Sequence, residues 1–150
     1  MRHQCKRHKL GRPQDQRKAL LRSLATSLFI HDEIRTTMAK AKALKPYIEH
    51  IITLAKKGDL HSRRQALKFI YDNSIKGFIC SECGKSSGID TPTKEDKCEC
   101  GGKLVAKTVL RKIFSIIAPN YSTRNGGYTK IFRMPPRRGD ASEMALIQLV

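Results

Sequence analysis

Four of the five cysteines fall in one stretch, as Cys80-Ser81-Glu82-Cys83-Gly84 and Cys98-Glu99-Cys100-Gly101-Gly102, with fourteen residues between the two cysteine pairs. Four thiolates can surround one metal ion tetrahedrally at about 2.3 Å when a loop folds two such turns face to face. The glycines beside them free backbone amides to approach the sulfurs. Four sulfur ligands leave no open coordination position, so the chemistry expected of Cys80, Cys83, Cys98 and Cys100 is structural, with one Zn2+ as the cofactor.

The pattern resembles a zinc ribbon, although its second pair is Cys-x-Cys where Cys-x-x-Cys is usual. The alternatives that the spacing leaves open are a disulfide or redox pair, an iron–sulfur cluster and a chance grouping of cysteines. The 26 residues from 78 to 103 carry too little apolar material to fold by burial alone, so metal binding would supply their folding energy. Glu82 and Glu99 read as exposed turn residues rather than general bases. Cys5 stands apart in a basic segment and reads as an incidental thiol.

The second feature is charge. The chain of 150 residues has 30 Lys and Arg against 13 Asp and Glu, a formal net charge of +17. Such a surface repels itself unless a dense polyanion neutralises it, which points to nucleic acid ahead of an anionic membrane. Residues 1–22 hold eight cations against one acid, whereas residues 78–103 hold four against five. The ribbon is therefore the one section that is not basic. No apolar run approaches a membrane span of about 20 residues and no signal-like segment opens the chain, so a soluble intracellular protein is expected.

Arg2, His3, Lys6, Arg7, His8, Lys9 and Arg12 form a basic arm over 1–12 that can track a phosphate backbone. Arg124-Asn125-Gly126-Gly127-Tyr128 combines a cation, two small residues and an aromatic, which suits RNA contact as well as an ordinary hairpin turn. Arg137 and Arg138 follow in a loop. Tyr47, Phe69, Phe114 and Phe132 read as core. His31, His50 and His61 have no nucleophile or carboxylate partner, so no catalytic residue is assigned.

Positioning these groups requires a scaffold. Pro13 opens a helix with Leu21, Leu24, Ala25 and Leu28 on one face. Glu33–Thr37 alternates like a strand, and a second helix starts near Thr36 or Thr37, buries Leu44, Ile48, Ile51, Ile52 and Ala55, and stops at Gly58. Pro46 inside it predicts a kink or a later start. Asp59 caps a third helix that runs to about Asp72-Asn73, with Leu60, Ala66, Leu67 and Ile70 apolar. Lys107–Ala118 reads as a fourth helix stopped by Pro119. The Asn125-Gly126-Gly127 turn leads into a strand at 128–133, and a loop at 135–140 leads into a second strand at 144–150. The result is an α+β fold of about four helices and a small sheet, with a core domain over 13–77 and 104–150 and the ribbon-like insertion at 78–103.

Met1-Arg2-His3, Lys9-Leu10-Gly11-Arg12-Pro13, Arg17-Lys18-Ala19-Leu20-Leu21-Arg22, Ile34-Arg35-Thr36-Thr37, Ala39-Lys40-Ala41-Lys42, Ile52-Thr53-Leu54-Ala55-Lys56, Arg124-Asn125-Gly126-Gly127-Tyr128-Thr129 and Arg137-Arg138-Gly139-Asp140-Ala141 together resemble the bacterial-type large ribosomal subunit protein L17 family. The resemblance covers nearly the whole chain outside residues 76–106. It implies a two-layer α/β fold with a three-stranded mixed sheet, binding to large-subunit ribosomal RNA, neighbouring ribosomal proteins as partners, and a place near the exit of the peptide tunnel. It also implies that Arg17, Lys18, Arg22, Arg35, Thr36, Thr37, Lys40 and Lys42 join the RNA-facing set. The expected location is the cytoplasm, on the ribosome of a bacterium or an organelle. In the family pattern the third helix runs almost directly into the fourth, so the cysteine segment reads as an insertion, and Cys5 stands where a basic or aliphatic residue is expected.

The alternative is a free-standing zinc-ribbon regulator that binds nucleic acid, against which the acidity of the ribbon speaks. An RNA-modifying enzyme would need a cofactor loop, a paired acid and base or an open metal site. No membrane partner and no small-molecule substrate is expected.

Overall fold

A computed structural model describes residues 8–80, 82–83, 86–87, 98 and 100–150. The elements in chain order are α1 (Gln14–His31), β1 (Glu33–Thr37), α2 (Met38–Lys57), α3 (Leu60–Ala66), β2 (Ser74–Cys80), β3 (Ser86–Ser87), β4 (Leu104–Thr108), α4 (Val109–Lys112), a π-helical turn (Ile113–Ile117), α5 (Ala118–Asn120), β5 (Thr129–Met134) and β6 (Met144–Leu149). This is an α+β fold, as expected. The sheet of the main body has the order β1-β6-β5 and is antiparallel throughout, not mixed, because β1 and β5 both run against the central β6.

Helix α2 is the spine. Ala41, Leu44, Ile48, Ile51, Ile52 and Ala55 are buried along it, and it touches α1, α3, the π turn and all three strands of that sheet. Ala145 and Ile147 of β6 complete the core from below, while Ala25, Leu28 and Phe29 of α1 and Val109, Ile113 and Ile117 close it from the sides. The helix runs unbroken through Pro46. An interior proline costs about 3 kcal/mol, and burial of Leu44 and Ile48 on either side outweighs it, at about 1.5–3 kcal/mol per large aliphatic side chain. Thr37 occupies the N-cap position without a side-chain cap bond. Instead the Met38 N–H donates to the Glu143 carbonyl, 2.9 Å away, which ties the start of the helix to the loop before β6.

The third helix is shorter than its apolar spacing predicts. It ends at Ala66, and Leu60 and Leu67 are exposed. Two outside groups capture the carbonyls that follow, and a third takes an amide. Arg22 donates to Ile70 O at 2.9 Å and to Leu67 O at 3.3 Å, and the Tyr47 hydroxyl donates to Phe69 O at 3.0 Å. The Thr26 hydroxyl accepts the Tyr71 N–H at 3.0 Å. Local propensity favours more helix; these tertiary bonds favour a turn that drops Ile70 into the core.

The fourth helical stretch starts at Val109, since Lys107 lies in strand β4. Pro119 does not stop it but sits inside its last short turn, just past the widened π turn, where the Ala118 N–H donates to Ile113 O. Proline has no N–H, so it adds no unmet donor there. Phe132 is 46% exposed rather than core, because it lies on the outer face of β5 while Thr129 and Ile131 face inward.

Strands β2 and β4 were not anticipated. They pair antiparallel, with Cys80 opposite Leu104, Ile79 opposite Val105 and Phe78 opposite Ala106, and the two-residue β3 adds to the other side of β2. This second sheet joins the main body where Val109 N–H donates to Asn73 O at 3.1 Å and Leu110 N–H to the Asp72 carboxylate at 2.9 Å.

One junction fastens α1 to both layers. Asp32 caps α1 in a left-handed conformation, φ +64°, and its carboxylate takes both 2.8 Å bonds from Lys112 Nζ. Lys112 is buried, and its ammonium also donates to Ile30 O at 3.1 Å. Replacing Asp32 by Gly removes the unfavourable backbone conformation and the ion pair together. The pair outweighs the backbone gain, so Asp32→Gly should lower stability by about 1–2 kcal/mol, less than the loss of a fully buried pair because the carboxylate side chain is 60% exposed. Thermal denaturation at neutral pH measures this, and a rise in melting temperature would show that backbone strain dominates at this position.

Candidate metal centre and basic surface

The hairpin β2–β4 brings the cysteine turns together. Cys80 ends β2, Cys83 follows three residues later, and Cys98 and Cys100 precede β4. The four sulfurs lie within 4.8 Å of one another, with Cys80 and Cys100 at 3.4 Å and Cys83 and Cys98 also at 3.4 Å. All four are thiols rather than disulfide partners. A tetrahedron with bonds of about 2.3 Å has edges of roughly 3.8 Å, so small movements would seat one ion among them. The cluster can therefore hold a metal.

The backbone is arranged for thiolates. Amides of Cys83 and Glu82 aimed at Cys80 Sγ, chiefly the former, outweigh the desolvation of this buried sulfur and pull its pKa down to about 6. The Glu82 N–H lies 3.5 Å from that sulfur. On the opposite turn, Gly101 N–H donates to Cys98 O at 2.8 Å and Cys98 N–H to Gly102 O at 3.1 Å, which folds Cys98 and Cys100 into one knuckle. Gly102 is buried against the cluster, and a Cβ there would meet Cys80 Sγ at 2.6 Å. Glu82 is an exposed turn residue, as expected, while Glu99 lies outside the described residues.

The basic residues divide by task. Arg2, His3, Lys6 and Arg7, with Cys5, lie outside the described residues. His8, Lys9, Arg12, Lys18, Arg35, Lys42, Arg124, Asn125 and Arg138 are exposed or line surface clefts, and Arg17, Thr37 and Lys40 are half-buried. Arg22, Thr36 and Tyr128 also serve the fold itself. Arg22 clamps the turn after α3, and its guanidinium stacks 4.2 Å from the Tyr71 ring. Thr36 faces the core from β1, and Tyr128 is buried with its ring edge-on to Tyr121 at 5.3 Å and its hydroxyl donating to Arg124 O. Arg137 pairs with Asp140 within their loop; that pair and two bonds from Ser142 hold the Asp140 carboxyl below the usual carboxylate range.

Two clefts lie at the ends of α2. The first, of about 490 Å³, is lined by His8, Thr37, Met38, Ala39, Lys42, Ser142 and Glu143. The second, of about 420 Å³, is lined by Thr53, Lys56, Lys57, Asn125, Gly126 and Tyr128. A helix of 20 residues separates them by roughly 30 Å. Sequence reasoning missed Thr53, Lys56 and Lys57 as surface-site residues, because two lysines at a helix C-terminus are accounted for by the helix dipole alone.

A family model described as ribosomal protein L17 matches residues 20–150. The chain is 47% identical over 142 residues to the large ribosomal subunit protein bL17 of Streptococcus sanguinis strain SK36, covering 95% of this chain and 97% of that protein. It is 46% identical to the bL17 of Streptococcus pneumoniae strain Hungary19A-6 over the same shares.

A side chain at residue 102 tests the cluster geometry. Gly102→Ala should drive Cys80 Sγ away from the other three sulfurs and weaken binding of Co2+, used as a spectroscopic probe, about tenfold or more, in line with the effect of disturbing residues next to metal ligands. The thiolate-to-cobalt absorption band measures it, and an unchanged titration would show that Gly102 does not shape the centre.

Proposed function

The chain belongs to the ribosomal protein L17 family, and from that premise we propose that it is a structural constituent of the large ribosomal subunit that binds ribosomal RNA. Its role is structural rather than enzymatic. The observation that carries the reading is the match to bL17 proteins over 95% of the chain. The net charge of +17, with lysines lining the clefts at both ends of α2, supports it. Lys9, Arg12, Arg17, Lys18, Arg35, Thr37, Lys40, Lys42, Arg124, Asn125 and Arg138 supply the contacts, together with the arm residues Arg2, His3, Lys6, Arg7 and His8. Its position is near the tunnel exit, in a bacterial-type cytoplasmic ribosome among other large-subunit proteins, a reading that the resemblance supports. No helix among the described residues is long and apolar enough to cross a membrane.

Endogenous protein sedimented through a sucrose gradient should comigrate with large subunits at one copy each. Purified protein should bind large-subunit RNA with an affinity that falls with salt by about 0.7–0.9 logarithmic units per phosphate neutralised. Protein confined to the top of the gradient would overturn this reading.

Cys80, Cys83, Cys98 and Cys100 hold one zinc ion, which supplies folding energy to a hairpin with almost no core of its own. The four converged thiols, the amides directed at Cys80 and the space left by Gly102 support that assignment. Reduced protein should contain one zinc per chain, and Cys83→Ser should lower the occupancy while the main body keeps its melting transition. Metal analysis that finds no zinc in freshly isolated reduced protein would remove the assignment.

A further inference from the structure

The cleft at the C-terminal end of α2 has a chemistry of its own. Its wall on one side is α2, through Thr53, Lys56 and Lys57; on the other it is the turn that leads into β5, through Asn125, Gly126 and Tyr128. Lys56 is already engaged, since its ammonium donates to Arg124 O at 2.6 Å and approaches the Tyr128 hydroxyl at 3.4 Å. That bond fixes the turn against the helix and makes the cleft a preformed concavity. Lys57 and the Asn125 side-chain amide are exposed and have no hydrogen-bond or ion-pair partner among the described residues.

Gly126 and Gly127 have φ of +114° and +64°, and a Cβ at either would meet open space. Glycine is needed there for the backbone conformation rather than to avoid a clash. The consequence is a bare peptide surface with nothing in front of it. Tyr128 is only 3% exposed and serves as wall, not as a stacking platform.

We propose that this cleft receives a single unpaired nucleotide of the ribosomal RNA, with its base edge on the Asn125 amide, its face on the Gly126 peptide and its phosphate on Lys57. A duplex backbone would call for several free cations on a convex surface. Here, among the described residues that line it, Lys57 is the cation without a partner, and it flanks a concavity of about 420 Å³, within the size range of small-molecule pockets. A carboxamide offers both a donor and an acceptor in one plane, which matches the edge of a base and is surplus to a phosphate. The inference rests on the RNA-binding reading and deepens it by naming the form of RNA bound at one place.

The test uses the full chain, zinc-loaded, in filter binding to large-subunit ribosomal RNA across a salt series, with a short RNA duplex as the control ligand. Asn125→Ala removes the edge contact, and Thr53→Trp fills the cleft from an exposed helical position; circular dichroism confirms that both remain folded. Each should weaken binding to the ribosomal RNA about fivefold or more, the scale of losing one base contact, without changing the salt slope. Lys57→Gln should instead reduce that slope by about one phosphate equivalent. Binding to the duplex should be unaffected by Asn125→Ala and Thr53→Trp. Unchanged ribosomal RNA affinity in both variants overturns the nucleotide site while leaving the RNA reading intact. Variants that bind RNA normally but fail to enter large subunits would point to a protein occupant and also overturn it. Failure of the unsubstituted protein to bind ribosomal RNA at any salt concentration removes the underlying reading and the site with it.

Discussion

Asp32 does four things within one residue of chain. Its N–H closes the end of α1 on Leu28 O at 2.7 Å, its left-handed φ turns the chain into β1, its carbonyl accepts the Leu149 N–H at 3.0 Å, and its carboxylate holds Lys112. The helix layer, the edge strand, the central strand and the fourth helical stretch are thus referred to one point. The buried lysine is tolerable because its ammonium meets a carboxylate and a carbonyl together, while its aliphatic stem adds to the apolar packing. A neutral residue at either position would leave α4 and β1 to be aligned by packing alone.

The same device recurs. Arg22 caps the carbonyls after α3, Lys56 holds Arg124 O, and Lys112 holds Ile30 O. Ile30 O and the carbonyls after α3 lie at helix C-terminal ends, where carbonyls lack intrahelical partners and the local potential is negative, while Arg124 O lies in the loop before β5. A chain with a net charge of +17 has cations to spare, and a few spent internally relieve the repulsion that the rest impose. Division of labour follows. Cations at element ends shape the fold, while those on open faces and cleft rims remain available to a polyanion.

The cysteine hairpin obeys a different rule from the body. Its two principal strands pair with each other, and its attachment to the core runs through the Asp72–Asn73 and Val109–Leu110 bonds. Cys80 is buried within it, but little apolar area is available to hold a two-residue third strand in place. Marginal burial at this size is ordinarily supplemented by a covalent or metal staple. The four sulfurs stand where such a staple belongs.

What the sequence determined was whatever short-range chemistry dictates: the start and apolar face of α1, the strand at Glu33–Thr37, the stop of α2 at Gly58, the final strand, and the convergence of two cysteine turns. Periodicity, capping residues and ligand spacing act within a few residues of chain, so they are legible one segment at a time. Contacts from distant residues decided the rest. Arg22, 45 to 48 positions away from the carbonyls it binds, ended α3 at Ala66 against its apolar spacing. Packing on both sides carried α2 through Pro46, and pairing across the insertion made strands of residues 74–80 and 104–108. Whether a basic or aromatic residue contacts a partner or holds the fold was likewise a tertiary decision. Arg22, Thr36 and Tyr128 look like surface residues by type, yet the first binds carbonyls and the other two are buried. Lys57 looks like a helix-end cation, yet it rims a cleft whose far wall lies some seventy residues along the chain. Side-chain type sets what a group can do, but its partners are fixed only when remote segments meet.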